Sequence, residues 1–224
     1  MPKIYHSGPD PDFPYLDETQ RYHFPSPQKA SGDIVAVGGN LSPGMLLSAY
    51  EQGIFPWYNE DDPILWQSPD PRFVLFPEQL HISTSMKKVF KKKVFDIAFD
   101  RDFITVITNC AQILRHDQEG TWITKDMIAA YCELFRLGYA HCTGSYRDGV
   151  LVGGCYGVRI GSVFYGESMF AKESNASKAA FLAFAQKLFS EGIRFIDCQV
   201  PTVHLESLGA TAISRKEFLR LLHA

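Results

Sequence analysis

Two acids and an amide stand where this 224-residue chain otherwise builds apolar strands. Asp197 and Gln199 interrupt the run Phe195, Ile196, Cys198, Val200, and Glu167 interrupts the run from Val163 to Phe170. Strand side chains alternate between faces. Asp197 and Gln199 are therefore expected on one face, and Tyr165, Glu167 and Met169 together on one face opposite Phe164 and Ser168. A carboxylate buried without a partner is costly. Two of them in one small sheet suit proton transfer or the holding of a cation. An amide is a very poor base, so Gln199 suits positioning. Other chemistries lack their residues. Cys198 is expected to face away from Asp197, with no histidine near it in sequence, which argues against a thiol nucleophile. His141 beside Cys142 has no second ligand pair at metal spacing. No Walker loop, dinucleotide fingerprint or nucleophile elbow is present. No metal and no cofactor are expected.

Two loop segments and one helix supply further candidates. FPWY (55–58) and TWIT (121–124) place Trp57 and Trp122 outside periodic elements. Each reads either as a local packing cluster or as a platform on which a base stacks. MKKVFKKK (86–93) gathers Lys87, Lys88, Lys91, Lys92 and Lys93 in a chain of net charge −3. A run of this kind is a solvated helix face or a phosphate-contact patch, and its density favours the patch.

The elements that must position these groups divide the chain. Residues 1–72 are loop-rich and hold most of the thirteen prolines. One helix stands out there, capped by Ser42, with Pro43 in its first turn and Gly53 at its end. Periodicity predicts helices over 102–115, with Leu114 on its apolar stripe, and over 125–137, capped by Thr124. Three strands follow, 139–146, 150–158 and 162–169, joined by tight turns into an antiparallel meander. A helix over 175–190, capped by Ser174 or Asn175, leads into the strand that holds Asp197. That crossover predicts a central strand, parallel to a neighbour. A short helix ending at Gly209 and a last helix opened by the capping box SRKE (214–217) complete the chain. The fold class is α+β: a small Pro-rich N-terminal lobe, residues 1–73, and a mixed sheet with flanking helices, residues 74–224. The order of this second part resembles the acetyltransferase (GNAT) fold. FAKESNAS (170–177) stands where that fold has a glycine-rich pyrophosphate turn, and it contains no glycine.

Composition sets outer limits. Hydrophobic residues make up 46% of the chain, enough for a core. No apolar run approaches the roughly 18–20 residues of a membrane span, and the acidic, Pro-rich start is no signal peptide. Five cysteines without a CxxC pair read as reduced thiols, hence a cytoplasmic protein with no membrane partner.

Taken together, VGGNLSPGMLLSAYEQGIFPWY (37–58), LWQSPDPRFVLFPEQLHISTSM (65–86), EGTWIT (119–124), GGCYGVRIGSVFYGESMF (153–170), NASKAAF (175–181) and FIDCQVPTVHLESLGA (195–210) closely resemble the leucyl/phenylalanyl-tRNA–protein transferase family. The resemblance implies transfer of Leu or Phe, and Met less well, from aminoacyl-tRNA to proteins beginning with Arg or Lys, marking them for degradation in the bacterial N-end rule pathway. It implies an acetyltransferase-like domain that has lost acetyl-CoA, and a monomer is expected. By motif, Trp57 and Trp122, joined by Tyr131, would contact the terminal adenosine. Cys155, Phe164, Phe181, Phe184, Leu188 and Ile196 would line the pocket for the transferred side chain. Asp197, Gln199 and Glu167 match the polar reaction site, and the five lysines would meet tRNA phosphates. Cys155 stands where a Met is expected, Phe181 and Leu188 change size within an apolar set, and WQSP replaces WWSP. An acetyl-CoA-dependent N-acetyltransferase and a non-catalytic RNA-binding module are the alternatives.

Overall fold

The computed structural model describes residues 6–113 and 122–224. Leu114 and Thr121, named above, lie outside the described residues. In chain order the elements are β1 (Ile34–Val37), α1 (Pro43–Glu51), β2 (Phe55–Pro56), β3 (Leu65–Gln67), β4 (Arg72–Leu75), α2 (Thr84–Lys91), β5 (Asp96–Phe99), α3 (Phe103–Gln112) and α4 (Lys125–Arg136). Then come β6 (Ala140–Arg147), β7 (Val150–Ile160), β8 (Val163–Ala171), α5 (Ala176–Ser190), β9 (Phe195–Gln199), α6 (Val203–Glu206), β10 (Thr211–Ile213) and α7 (Arg215–Leu222).

The chain forms two compact units that are not contiguous in sequence. One comprises Met1–Arg72, Leu114–Glu133 and Ile213–Ala224; the other comprises Phe73–Ile113 and Leu134–Ala212. This differs from a division into 1–73 and 74–224, because two later stretches group with the N-terminal residues. Specific contacts explain both returns. The Arg215 guanidinium donates to the carbonyls of Ala30, Gly32 and Ser68. Phe218 of α7 packs on the buried Arg72 guanidinium at 4.4 Å, and Phe55 covers it at 4.8 Å. Tyr131 of α4 meets Tyr50 of α1, hydroxyl to hydroxyl, at 2.5 Å.

Within the first unit a small sheet has the order β1-β3-β2, antiparallel throughout. It occupies a region expected to be mostly loop; strands of two to four residues are too short to show a period. Pro43 opens α1 as expected. Ser42 does not cap it through its side chain: its Oγ accepts from the Leu16 N–H at 3.1 Å, tying down the N-terminal segment instead.

In the second unit seven strands run in the order β10-β4-β9-β8-β7-β6-β5. β6, β7 and β8 form the expected meander, and β9, reached over α5, lies parallel to β8. β4 completes the burial of β9 by pairing antiparallel to its other edge. This is the mixed α+β sheet expected from the element order. Its main apolar cluster includes Phe164, Phe181, Phe184, Leu188 and Ile196, with Met86 of α2. Asn175 precedes α5 in a left-handed conformation (φ 68°) with no side-chain capping bond, which an asparagine tolerates. Thr124, Thr202 and Ser214 do cap α4, α6 and α7, each accepting from an amide three residues on.

Candidate active site

β8 and β9 pair along only three positions, Val163–Phe195, Phe164–Ile196 and Tyr165–Asp197. Both strands continue beyond this point, so a wedge opens between Gly166–Ala171 and Cys198–Gln199. Each strand carries an irregularity at the mouth of the wedge. Against β7, Gly166 opposes Gly157 and Ser168 opposes Tyr156, which leaves Glu167 as an extra residue. Against β4, Asp197 opposes Val74 and Gln199 opposes Phe73, which leaves Cys198 as an extra residue. Bulges of this kind re-aim side chains and recur beside reaction sites.

The bulges correct the expected faces. Met169 packs on the same apolar cluster as Phe164, although strict alternation sets them on opposite faces. Simple alternation through Asp197 and Gln199 ends at Cys198, and Gln199 takes a left-handed backbone, φ 63°. Asp197 holds that conformation by accepting the Gln199 amide on Oδ1 at 2.9 Å. Gln199 in turn donates through Nε2 to Glu167 Oε1 at 3.0 Å. Asp197 is fully buried, and Glu167 and Gln199 are each 7% exposed. Direct hydrogen bonds thus link all three polar candidates, Asp197 with Gln199 along β9 and Gln199 with Glu167 across the wedge.

All six residues assigned to a side-chain pocket fall in one apolar cluster, with Phe164 and Phe184 edge to face at 4.9 Å. They are almost fully buried. Burial pushes the Cys155 thiol well above its ordinary range, with nearby Cys110 and Cys142 adding to the shift. Burial, then the neighbouring Asp197, raises Cys198 likewise, which keeps both sulfurs protonated. His141 is engaged through Nδ1 with Asp100 Oδ2 at 2.9 Å.

Trp57 and Trp122 lie in the first unit, each half-buried. Their segments are tied together: the Tyr58 hydroxyl lies 3.4 Å from Thr124 Oγ1. Burial is the main cause that raises the Tyr58 hydroxyl's pKa. Tyr131 lies on α4 in the same unit. Its ring is fully buried and its hydroxyl is bonded to Tyr50. Its role is to fix α4 against α1.

α2 begins with Ser83 accepting the Met86 amide and buries Met86, with Val89 and Phe90 packed on the core. The opposite side is left to lysines. Lys87, Lys88, Lys91, Lys92 and Lys93 are all exposed, and none is ion-paired among the described residues. Lys92 caps the helix and Lys93 turns left-handed at φ 48°, so positive charge concentrates at the helix C-terminus, where the dipole favours it.

Comparison with known proteins identifies the family of the chain. The family model described as leucyl/phenylalanyl-tRNA protein transferase matches residues 74–223, and that of its N-terminal domain matches residues 39–70. The chain belongs to the leucyl/phenylalanyl-tRNA–protein transferase family. The protein of that name from Syntrophobacter fumaroxidans is 52% identical over 210 residues, covering 93% of this chain and 90% of its own. The one from Flavobacterium johnsoniae is 52% identical over 200 residues, covering 89% and 94%. Among solved structures, a GCN5-related N-acetyltransferase-like protein from Streptococcus suis is 13% identical with a TM-score of 0.40, covering 80% of this chain and 67% of its own.

Sequence reasoning missed two features of this transferase-family chain. The first is β4, whose SPDPR approach reads as loop. The second is the buried Arg72 between two rings. Only the apolar run Phe73–Phe76 gave a signal for the strand.

Proposed function

We propose that this member of the transferase family moves Leu or Phe, and Met less well, from aminoacyl-tRNA to the α-amino group of proteins beginning with Arg or Lys, which marks them for degradation in the cytoplasm. The observation that carries the reading is the linked set Asp197–Gln199–Glu167 at the mouth of a wedge beside an apolar cluster. Anions suit an ammonium or a cationic side chain; a hydrocarbon-lined site suits Leu or Phe.

The donor is already activated as an ester of the tRNA 3′ end. The acceptor amine attacks the ester carbonyl, a C–N bond forms, and the C–O bond to the ribose breaks. A proton leaves the amine and one returns to the ribose oxygen. Asp197 accepts hydrogen bonds from the ammonium and serves as the base, directly or through Gln199, which positions the amine. Glu167 recognises the Arg or Lys side chain or shares the amine. Cys155, Phe164, Phe181, Phe184, Leu188 and Ile196 receive the aminoacyl side chain. Trp57 and Trp122 stack the terminal adenosine, and Lys87, Lys88, Lys91, Lys92 and Lys93 contact phosphates of the acceptor stem.

Radiolabelled Phe-tRNA and two peptides that differ only in an N-terminal Arg or Ala test the reaction. Label on the Arg peptide alone is expected. Equal label on both, or on neither while tRNA still binds, contradicts the acceptor assignment or the reaction respectively.

A further inference from the structure

The side of the large sheet that faces α5 carries one row in register across four strands: Phe99 of β5, Thr143 of β6, Cys155 of β7 and Met169 of β8. Three of these are apolar. Thr143 is not, and it is fully buried, with no hydrogen-bond partner for its Oγ1 among the described residues. Ser145, two residues along the same strand, shows what a satisfied hydroxyl on this face looks like: its Oγ donates to the Ala176 carbonyl at 2.8 Å. Buried hydroxyls are rarely left without a partner.

The surroundings of Thr143 are those assigned to the aminoacyl side chain. The Phe99 ring packs on Phe184 at 6.2 Å, and Phe184 on Phe164 at 4.9 Å. Directly opposite residues on antiparallel strands have Cβ atoms about 4.5–5.5 Å apart. Cys155 is therefore Thr143's immediate neighbour toward the wedge, and its side chain is only two heavy atoms long. A longer side chain at 155 would stand between the Thr143 hydroxyl and the wedge.

We propose that Thr143 is a specificity-determining residue, its hydroxyl forming a polar floor to the side-chain pocket that donates to a heteroatom carried by an otherwise apolar aminoacyl side chain. The proposal deepens the pocket reading above and rests on it. The thioether is the group that fits. An ionised or strongly hydrated side chain meets a steep desolvation cost on passing Phe164, Phe181 and Leu188. Methionine is flexible and unbranched, and its sulfur is a weak acceptor. Leucine has no acceptor to offer.

The test compares methionyl-tRNA with norleucyl-tRNA, whose side chain replaces only the sulfur by a methylene, with Phe-tRNA as reference and an Arg peptide as acceptor. In Thr143→Val the ratio of kcat/KM for Met over norleucine is expected to fall roughly two- to fivefold, while Phe transfer is retained. Thr143→Ser should keep the wild-type ratio. Cys155→Met should cover the floor and lower the ratio as Thr143→Val does, which gives a second variant should the first not fold. Wild-type ratios in both Thr143→Val and Cys155→Met overturn the proposal alone. Absence of Phe transfer by the wild-type enzyme overturns the pocket reading beneath it.

Discussion

Gln199 donates to Glu167 across two strands whose backbones have already parted, side-chain nitrogen to carboxylate oxygen at 3.0 Å. The bond closes the mouth of the β8–β9 wedge and depends on a left-handed backbone at Gln199. A non-glycine residue in that conformation carries a penalty of about 1–2 kcal/mol, so the sheet maintains it against local preference.

That relationship separates function from stability at one position. Gln199→Gly removes the conformational penalty and also the donor to Glu167, whose loss costs about 1–3 kcal/mol. The two largely offset, so the melting temperature should stay close to that of the wild type. Transfer should nevertheless fall by about 10- to 100-fold, because the amine is no longer aligned. Thermal unfolding and single-turnover transfer, measured together, check both halves.

The lysine face of α2 should carry a salt-dependent share of tRNA affinity. Replacing Lys87, Lys88 and Lys91 by Gln should weaken binding and flatten the slope of log K against log salt by roughly 2 to 3, close to one for each phosphate no longer neutralised. Filter binding over a range of potassium chloride concentrations reads the slope. An unchanged slope returns these lysines to a solvated helix face.

Arg72 lies fully buried between Phe55 and Phe218 and joins the loop that holds Trp57 to the C-terminal helix. Arg72→Ala should destabilise the protein by about 2–4 kcal/mol, because both cation–π interactions disappear and a cavity opens between the rings. Arg72→Lys should not restore stability, since an ammonium lacks the plane that both rings cover. Denaturant midpoints at unchanged m-value measure the effect.

Asp100 and His141 supply a pH dependence. Burial raises the Asp100 pKa, but the hydrogen bonds from the His141 ring and the Cys142 amide outweigh it, and the net direction is below the ordinary 3.8. A carboxylate with a depressed folded-state pKa stabilises the fold above its unfolded value. That stability is lost as pH falls through the folded value. The wild type should therefore exceed Asp100→Asn in melting temperature at pH 6, with the gap closing below about pH 3.8. A gap that widens on acidification contradicts the sign.

The parts legible in the sequence were those with length and period. The meander, α5, α4 and the crossover into β9 all span enough residues to print their faces on the chain. The polar candidates Glu167, Asp197 and Gln199 were visible because each breaks an apolar run. Their arrangement was not visible. A bulge is created by a mismatch with the partner strand, and the partner of Asp197, Val74, lies 123 residues away, just past the Pro-rich loops. The bond between the Tyr131 and Tyr50 hydroxyls was likewise hidden, because it joins two helices 81 residues apart. The return of α7 to the N-terminal lobe was equally hidden, because it rests on Arg215 reaching three backbone carbonyls far away in sequence.

The central claim is that the Asp197 carboxylate acts on the acceptor amine. Asp197→Asn tests it most directly, since Asn keeps an oxygen to accept the Gln199 amide while losing charge and basicity. Single-turnover transfer of Phe from Phe-tRNA to an Arg peptide should fall by about 10²- to 10⁴-fold, with Phe-tRNA affinity unchanged. Transfer at the wild-type rate would contradict the account.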